Sequence, residues 1–358
     1  MAKTVTSQEN ITPSPILKNV IDNRTFPNFS LPRYTDTWSD CRRTASEMYA
    51  IHTVPNGTYF DEAVVIDEYV KVPTKVKTIE ELYEVFSSGK NAYVSFDQDV
   101  TITDQFVIEN GQTITLDLNE CNITGDGNVG GNGRLFQINN GKLVVNGTEN
   151  SSITASSDSY GCFRVEADGE LEINDCKLSN SKGWGLNIKV LGGSAVLNNV
   201  TIDSLIGGGI EVTEADLGTH SKPGYAVLND CNFTQEQYKD HCSSCLSVSG
   251  GSTLEINSGN YISQNYCLYV FSSGGKIIIN GGVFEGGKDC LKAAIDLKTY
   301  PEYTGGFIIN DGTFTGTASI KSPAYLVINK GTFTFDPTEY TSNKTVTYDE
   351  AAQIYTVK

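Results

Sequence analysis

The stretch FIINDGTF at 307–314, with its near copy LVINKGTF at 326–333, contains the pattern that decides the fold. In each copy two apolar residues flank a middle position, an asparagine follows, and an aromatic residue comes four positions after the asparagine. The two copies are too close together for the helical crossover that usually joins parallel strands. The pattern therefore predicts short parallel strands in a chain that coils.

Similar steps run back through the chain to residue 116. They read LDLNECNI, LEINDCKL, AVLNNVTI, AVLNDCNF, LEINSGNY and IIINGGVF, with LVVNGTEN as a degenerate member. The anchoring asparagines are 19 to 31 residues apart, which is a solenoid period with variable loops. A second strand with apolar residues two apart lies between successive anchors. We therefore predict an all-β fold, a right-handed parallel β-helix of about nine coils with three short strands per coil.

The anchoring asparagines are expected to stack at one corner of the coil. Equivalent residues of successive coils lie about 4.8 Å apart, so their side-chain amides can bond to one another as they do in cross-β ladders. The predicted ladder consists of Asn119, Asn146, Asn174, Asn198, Asn229, Asn257, Asn280, Asn310 and Asn329.

Seven of the nine cysteines follow the repeat. Three come two residues after a predicted ladder asparagine, and four precede the first apolar residue of the second strand. At equivalent places the other coils have Gly or Val, so we interpret these thiols as small buried side chains, which indicates a reducing compartment at synthesis. The two sets are Cys121, Cys176 and Cys231, and Cys162, Cys245, Cys267 and Cys290.

Charge divides the chain into two regions. Residues 1–77 contain nine basic and nine acidic residues, so the net charge of −17 lies entirely in residues 78–358. An acidic body repels phosphate backbones, which argues against a nucleic-acid partner. No apolar run of 18 residues occurs, and no export signal is visible, so we expect neither membrane insertion nor secretion.

Both ends of the predicted β-helix have capping signals. Thr78 followed by IEELYEVF and a stop at Gly89 predicts an amphipathic helix over the first coil. GTFTFDPTEY at 331–340, followed by TVTYDEAAQIYTV at 345–357, predicts a hairpin across the last coil. Such caps protect open strand edges from recruiting other chains. We divide the body into 78–110 (capping helix and lead-in strands), 111–335 (β-helix) and 336–358 (C-terminal cap).

Together, the TIEELYEVFSSGKNAYVSFDQDVTITDQFVIENGQTITLDLNECNITG stretch at 78–125 and the closing segment resemble those of β-helix surface proteins of gut bacteria and their phages. The wider superfamily is that of pectate lyases and phage tailspikes. The resemblance covers about 280 residues and is specific for the fold rather than for an activity. It implies a parallel β-helix and, by analogy with the tailspikes, a homotrimer.

Residues 1–77 match nothing in the repeat. Prolines at 13, 15, 27, 32, 55 and 73 punctuate an aromatic segment without a sustained period. Such a segment buries little by itself, so we expect an irregular attachment segment that orders on capsid or tail proteins. A separate small domain is the alternative.

The predicted outward column of the second strand is the candidate glycan-contact face. A β-helix that cleaves polysaccharide needs paired carboxylates, or carboxylates with a base, on one outer face. No paired acids occur at neighbouring positions of this column, so we predict no catalytic residue, and nothing points to a metal or a cofactor. The candidate contact residues are Arg164, Asn187, Glu211 and Tyr269.

The predicted outward column of the strand before the ladder is mostly aliphatic. A solvent-facing strand seldom carries a long apolar stripe, so we predict an interface there, with β-propensity alone as the competing explanation. Three β-helices joined along this stripe would form a trimer. The predicted interface consists of Val144, Val196, Val227, Ile278, Ile308 and Val327.

These features favour a phage virion structural protein, made in the host cytoplasm. We expect a head fibre or a tail-associated spike shaft, attached through residues 1–77 and projecting a trimeric β-helix toward the host surface. The first alternative is a tailspike-type polysaccharide depolymerase, and the second is a bacterial surface adhesin, which the missing export signal weakens.

Overall fold

The fold is described from a computed structural model of the 358-residue chain. It divides into two compact units, Met1–Thr74 and Lys75–Lys358. The prediction for residues 1–77 falls largely outside the described residues. Those that the structure describes are 42–44, 47–48, 51–53, 64–65, 74–126, 134–155, 160–180, 186–204, 207–218, 220–235, 244–295 and 305–358.

The first unit contains two short antiparallel pairs among its described residues. Arg42–Thr44 pairs with Glu47–Met48, and Ile51–Thr53 pairs with Val64–Val65.

The second unit is a parallel β-solenoid, which confirms the predicted fold class. Three sheets run along it, and successive coils pair in parallel within each sheet, while the last two strands of sheet 2 pair antiparallel. Sheet 1 contains Thr74–Val76, Ala92–Phe96, Gln112–Asp117, Gly141–Asn146, Glu170–Asn174, Ser194–Asn198, Tyr225–Asn229, Thr253–Ile256, Gly275–Ile279, Gly305–Ile309 and Leu326–Ile328.

Sheets 2 and 3 complete each coil. Sheet 2 contains Val100–Ile102, Asn122–Gly125, Ser152–Ala155, Lys177–Asn180, Thr201–Ser204, Cys231–Gln235, Gly259–Ser263, Val283–Gly286, Thr313–Thr315, Gly331–Phe333, Val346–Asp349 and Ile354–Val357. Sheet 3 contains Phe106–Ile108, Arg134–Ile138, Gly161–Val165, Ile188–Leu191, Ile210–Thr213, Ser244–Val248, Tyr266–Val270, Asp289–Ala293 and Ala318–Ile320.

The solenoid makes about seven turns, slightly fewer than the nine predicted. Sheet 3 nevertheless stacks nine strands when those of the end coils are included. A short excursion leaves the coil between sheets 3 and 1, where Ala215–Asp216 pairs antiparallel with Ser221–Lys222. The spacing between the asparagines therefore varies because loops and excursions of different length are inserted, while the three-strand coil itself stays the same.

Stacked aromatic rings fill the interior at the C-terminal end. On the inner face of sheet 2, five fully buried rings follow one another from coil to coil, at Phe233, Tyr261, Phe284, Phe314 and Phe333. The first pair meets edge to face, and the other three pairs are stacked. Ring centroids of successive residues are 5.5, 5.1, 4.9 and 5.0 Å apart. Each such pair contributes about 0.5–1.5 kcal/mol beyond the burial of its apolar area. The repeat therefore stabilises the rod by adding one ring per coil.

The N-terminal end is closed by a helix at Ile79–Ser87, as predicted. Thr78 is its N-cap, because the Thr78 hydroxyl accepts from the Glu81 backbone N–H while the Glu81 carboxylate accepts from the Thr78 N–H. Leu82 and Phe86 are buried against the first coils, and the Phe86 ring lies 4.4 Å from that of Phe106.

The C-terminal end is closed by the predicted hairpin. Val346–Asp349 and Ile354–Val357 pair antiparallel, and the second strand also pairs antiparallel with Gly331–Phe333 of the last coil. Two short 3-10 helices lie here, Pro323–Tyr325 directly before Leu326–Ile328 and Thr338–Tyr340 after Gly331–Phe333. The parallel stack therefore ends in an antiparallel flap.

Candidate functional site

One corner of the solenoid, directly after sheet 1, carries a continuous ladder of asparagine side chains. Each side-chain amide N–H donates to the Oδ1 of the asparagine one coil earlier, over 2.7 to 2.9 Å. The ladder links Asn146, Asn174, Asn198, Asn229, Asn257, Asn280, Asn310 and Asn329.

The prediction for Asn119 is wrong. Asp117, not Asn119, pairs with Asn146 in the sheet, so the ladder starts one coil later than predicted. Asn119 lies two residues beyond, in a left-handed conformation with φ of 47°, and its amide donates to the Phe96 carbonyl. The LDLN motif was misleading because Leu116 and Leu118 preserve the apolar alternation both in the predicted register and in the observed one, which differ by two residues.

The cysteines of the described residues are free. Cys162, Cys245, Cys267 and Cys290 are buried near the start of sheet 3 strands, Cys176 is buried just before a sheet 2 strand, and Cys231 is buried at the start of one. The prediction is wrong for Cys121, which is only partly buried. Burial raises the pKa of the Cys162, Cys176 and Cys231 thiols to about 12. These groups therefore act as compact apolar side chains, not as nucleophiles.

The predicted trimer-interface residues form one in-register column on the outside of sheet 1. Val144, Val196, Val227, Ile278 and Ile308 are half-buried, and Val327 is 45% exposed. Because of the shifted register, the strand Gln112–Asp117 contributes Thr115 to this column instead of Asp117, and Tyr93 of the preceding strand pairs with Thr115. From Thr115 onward, the column reads Thr115, Val144, Glu172, Val196, Val227, Glu255, Ile278, Ile308 and Val327.

Two carboxylates interrupt this column, and both are bonded. Glu172 pairs with Lys142 at 3.0 Å, and this hydrogen bond holds the pKa of the carboxyl below its usual value. Glu255 accepts from the Tyr225 hydroxyl at 3.1 Å and from the Asn280 amide at 3.1 Å. Hydrogen bonds of this kind reduce the cost of removing the carboxylates from water.

On the outside of sheet 3 the structure places a different column from the one predicted. Arg164 and Glu211 belong to it, but the residue between them is Lys189, because Arg164 pairs with Lys189 and Lys189 with Glu211. Asn187 was wrongly assigned to this face. It is fully buried, stacked over Cys162, and its side-chain Nδ2 has no hydrogen-bond partner.

Tyr269 lies in the column but is only 7% exposed, which removes it from the candidate glycan-contact face. Its ring packs 4.2 Å from that of Phe271 and 5.4 Å from that of Tyr266. Lys292 Nζ lies 3.8 Å from the Tyr266 ring centroid and 4.9 Å from that of Tyr269. Both tyrosine rings of this cluster therefore already have a cation–π partner, Lys292, within the chain.

Charged groups dominate the other half of the sheet 3 face. Arg164 is bonded to Glu166, and Lys189 pairs with Glu211 at 3.3 Å. These four side chains are 21% to 27% exposed. Sequence reasoning missed a further cation, Arg134, which is 5% exposed and whose Nε has no hydrogen-bond partner. Its strand reads RLFQI, and the alternation alone does not show that an arginine at its edge is buried.

Within the described residues, no group of three or more His, Cys, Asp or Glu side chains is arranged to hold a metal ion. None of the helices described is long and apolar enough to cross a membrane. No family model matches the chain, and neither the curated proteins nor the solved structures contain a significant match. The class of protein is therefore defined by the fold alone, as a parallel β-solenoid.

Proposed function

We propose that the chain is a bacteriophage virion structural protein, a head fibre or tail-associated spike shaft that assembles as a homotrimer. Residues 1–77 attach it to capsid or tail proteins, and the acidic solenoid projects toward the host surface. The observation that carries the proposal is the outward aliphatic column of sheet 1, together with the capping of both solenoid ends.

The aliphatic column is better explained as a lateral interface than as a surface exposed to solvent. Valine or isoleucine occupies six of the nine positions from Thr115 to Val327 in one in-register column, so a second solenoid can pack against several of these side chains at once. Apolar stripes of this extent mark interaction surfaces. The two interrupting carboxylates already have partners, so they enter an interface with less penalty than unpaired charges.

Capping of both ends supports a side-by-side assembly over end-to-end growth. The helix covers the first coils, and the antiparallel flap replaces the last parallel edge. Blocked edges of this kind prevent strand addition along the rod axis. Association is thus directed to the flanks, where the aliphatic column lies.

The experiment replaces Val196, Val227 and Ile278 together with Glu. Three new carboxylates in the column repel one another and cannot be desolvated, so we expect light scattering to show a monomer where the unmodified protein is a trimer. The matched control replaces Thr124, Thr234 and Thr315 with Glu on the outside of sheet 2, which adds the same charge away from the column.

The control should remain trimeric, and circular dichroism should show β-structure in both variants. A trimeric mass for the Val196/Val227/Ile278 variant would exclude the column as the seam. A monomeric mass for both variants would attribute dissociation to charge alone.

A further inference from the structure

Two asparagines of the ladder are followed directly by glycine, Asn146 and Asn280. Glycine has no Cβ, so its backbone nitrogen can approach the carboxamide of the preceding side chain closely. That nitrogen can attack the Cγ and expel ammonia, which converts the asparagine to a five-membered succinimide and then to aspartate or isoaspartate. The surroundings of the two glycines differ, and the difference separates a protected pair from a reactive one.

The backbone N–H groups of the two glycines have different partners. The Gly147 N–H donates to the Asn174 carbonyl at 2.8 Å, whereas no hydrogen bond between described residues uses the Gly281 N–H. Asn280 and Gly281 line an open groove of about 500 Å³ at the corner between sheets 1 and 2, and Asn280 is exposed. The Gly281 nitrogen is therefore available for attack, and water can reach the product.

The side chain of Asn280 contacts groups that assist this reaction. Its Oδ1 accepts from the Asn310 amide at 2.7 Å, which places a donor where negative charge develops as the Gly281 nitrogen adds. Its Nδ2 donates to the Glu255 carboxylate at 3.1 Å. A carboxylate beside the departing nitrogen can act as a general base and deliver the proton that this nitrogen needs to leave.

Asn146 shares only one of these features. Its Oδ1 accepts from the Asn174 amide at 2.9 Å, so its carbonyl is polarised in the same way. No carboxylate takes part in its described hydrogen bonds, and the N–H of its glycine is engaged. The chain therefore contains a matched control for Asn280.

We propose that Asn280 is a site of spontaneous deamidation in the folded protein. The Gly281 nitrogen forms a bond to Cγ, the Cγ–Nδ2 bond breaks, and the Gly281 proton passes through Glu255 to the departing nitrogen, which leaves as ammonia. Water then adds to either carbonyl carbon of the succinimide and yields aspartate or isoaspartate. The new carboxylate cannot donate to Asn257 or Glu255, so the ladder breaks between two coils. The reaction uses residues of one chain, so it does not depend on the shaft role.

The test follows both asparagines in the same sample. The full chain is incubated at pH 8 and then digested with trypsin at slightly acidic pH. Liquid chromatography with tandem mass spectrometry separates the asparagine, aspartate and isoaspartate forms of peptides 277–288 and 143–164. We expect conversion at Asn280 to be roughly tenfold or more faster than at Asn146, which lacks a free nucleophile and a proton carrier. In guanidinium chloride, where the fold is lost, the two rates should become similar.

A variant tests the part played by the carboxylate. Glu255→Gln should slow conversion at Asn280 severalfold and leave that at Asn146 unchanged, since an amide is a far weaker base than a carboxylate. Equal rates at Asn280 and Asn146 in the folded protein would overturn the proposal, and an unchanged Asn280 rate in the variant would overturn the role of Glu255. If the variant does not fold, the comparison of the folded and unfolded unmodified chain decides the question by itself.

Discussion

At the scale of single residues, the asparagine ladder shows how one side chain fixes the register of a coil. Each internal member donates one amide hydrogen bond and accepts another, so a shift of one residue would break two bonds and turn the apolar side chains outward. Asp175, Asn199 and Asp230, each directly after a ladder asparagine, adopt φ of 53° and turn the chain toward sheet 2. Asn and Asp tolerate this left-handed conformation better than other non-glycine residues.

Asn229→Ala tests the ladder. The substitution removes the bonds to Asn198 and Asn257, each 2.7 Å long, and we expect a loss of about 2 kcal/mol in the free energy of unfolding. Urea denaturation followed by circular dichroism measures it. Asn119→Gly is the control, because this residue lies outside the ladder and glycine accepts its positive φ. Equal losses for the two variants would refute the ladder's role.

The buried thiols provide a second test at this scale. Because burial raises their pKa, Cys162, Cys176 and Cys231 should not react with iodoacetamide at pH 8 in the folded protein, and should react fully in guanidinium chloride. Mass spectrometry of the digested protein locates the label. Labelling of these peptides in the folded protein at the rate of a free thiol would contradict their placement inside the solenoid.

Whether a single residue could be placed from the sequence depends on how many strand registers its motif allows. The ladder from Asn146 onward could be predicted because each asparagine follows a clear apolar alternation and recurs in every coil. Asn187 could not be placed, because WGLNI and NIKV both alternate and overlap in sequence. The burial of Tyr269 against Phe271 depends on how side chains pack around a strand end, and the periodicity of the sequence does not encode that packing. The same holds for the burial of Arg134.

At the scale of elements, the sheets are stabilised by side chains stacked on themselves from coil to coil. The interior aromatic stack on sheet 2 contains one ring per coil over five successive coils. Capping helix and flap were predictable because they depend on local signals, the capping box at Thr78 and the turn chemistry near Pro337. Loop excursions such as Ala215–Asp216 with Ser221–Lys222 were not, since no periodic signal marks them.

Phe284→Ala tests the interior stack. Phe284 is fully buried between Tyr261 and Phe314, and its removal leaves a cavity that we expect to cost about 3–5 kcal/mol. The midpoint of urea unfolding reports it. Phe335→Ala is the matched control, since that half-buried ring ends the stack in an edge contact with Phe333 and should cost less. A smaller effect at Phe284 than at Phe335 would contradict the packing.

At the scale of the whole molecule, the solenoid distributes different chemistry to its flanks. Sheet 1 presents the aliphatic column, and sheet 3 presents the paired charges around Arg134. The fold class followed from the repeat alone, whereas the role of each flank depends on partners that the repeat does not specify.

The most direct test of the proposed homotrimeric shaft is the mass of the unmodified full chain in solution, measured by sedimentation equilibrium across micromolar concentrations. A seam that runs along the solenoid predicts three times the 38.8-kDa chain mass, independent of concentration in this range. A mass equal to one chain at every concentration would contradict the account, because the aliphatic column of sheet 1 would then be a solvated surface.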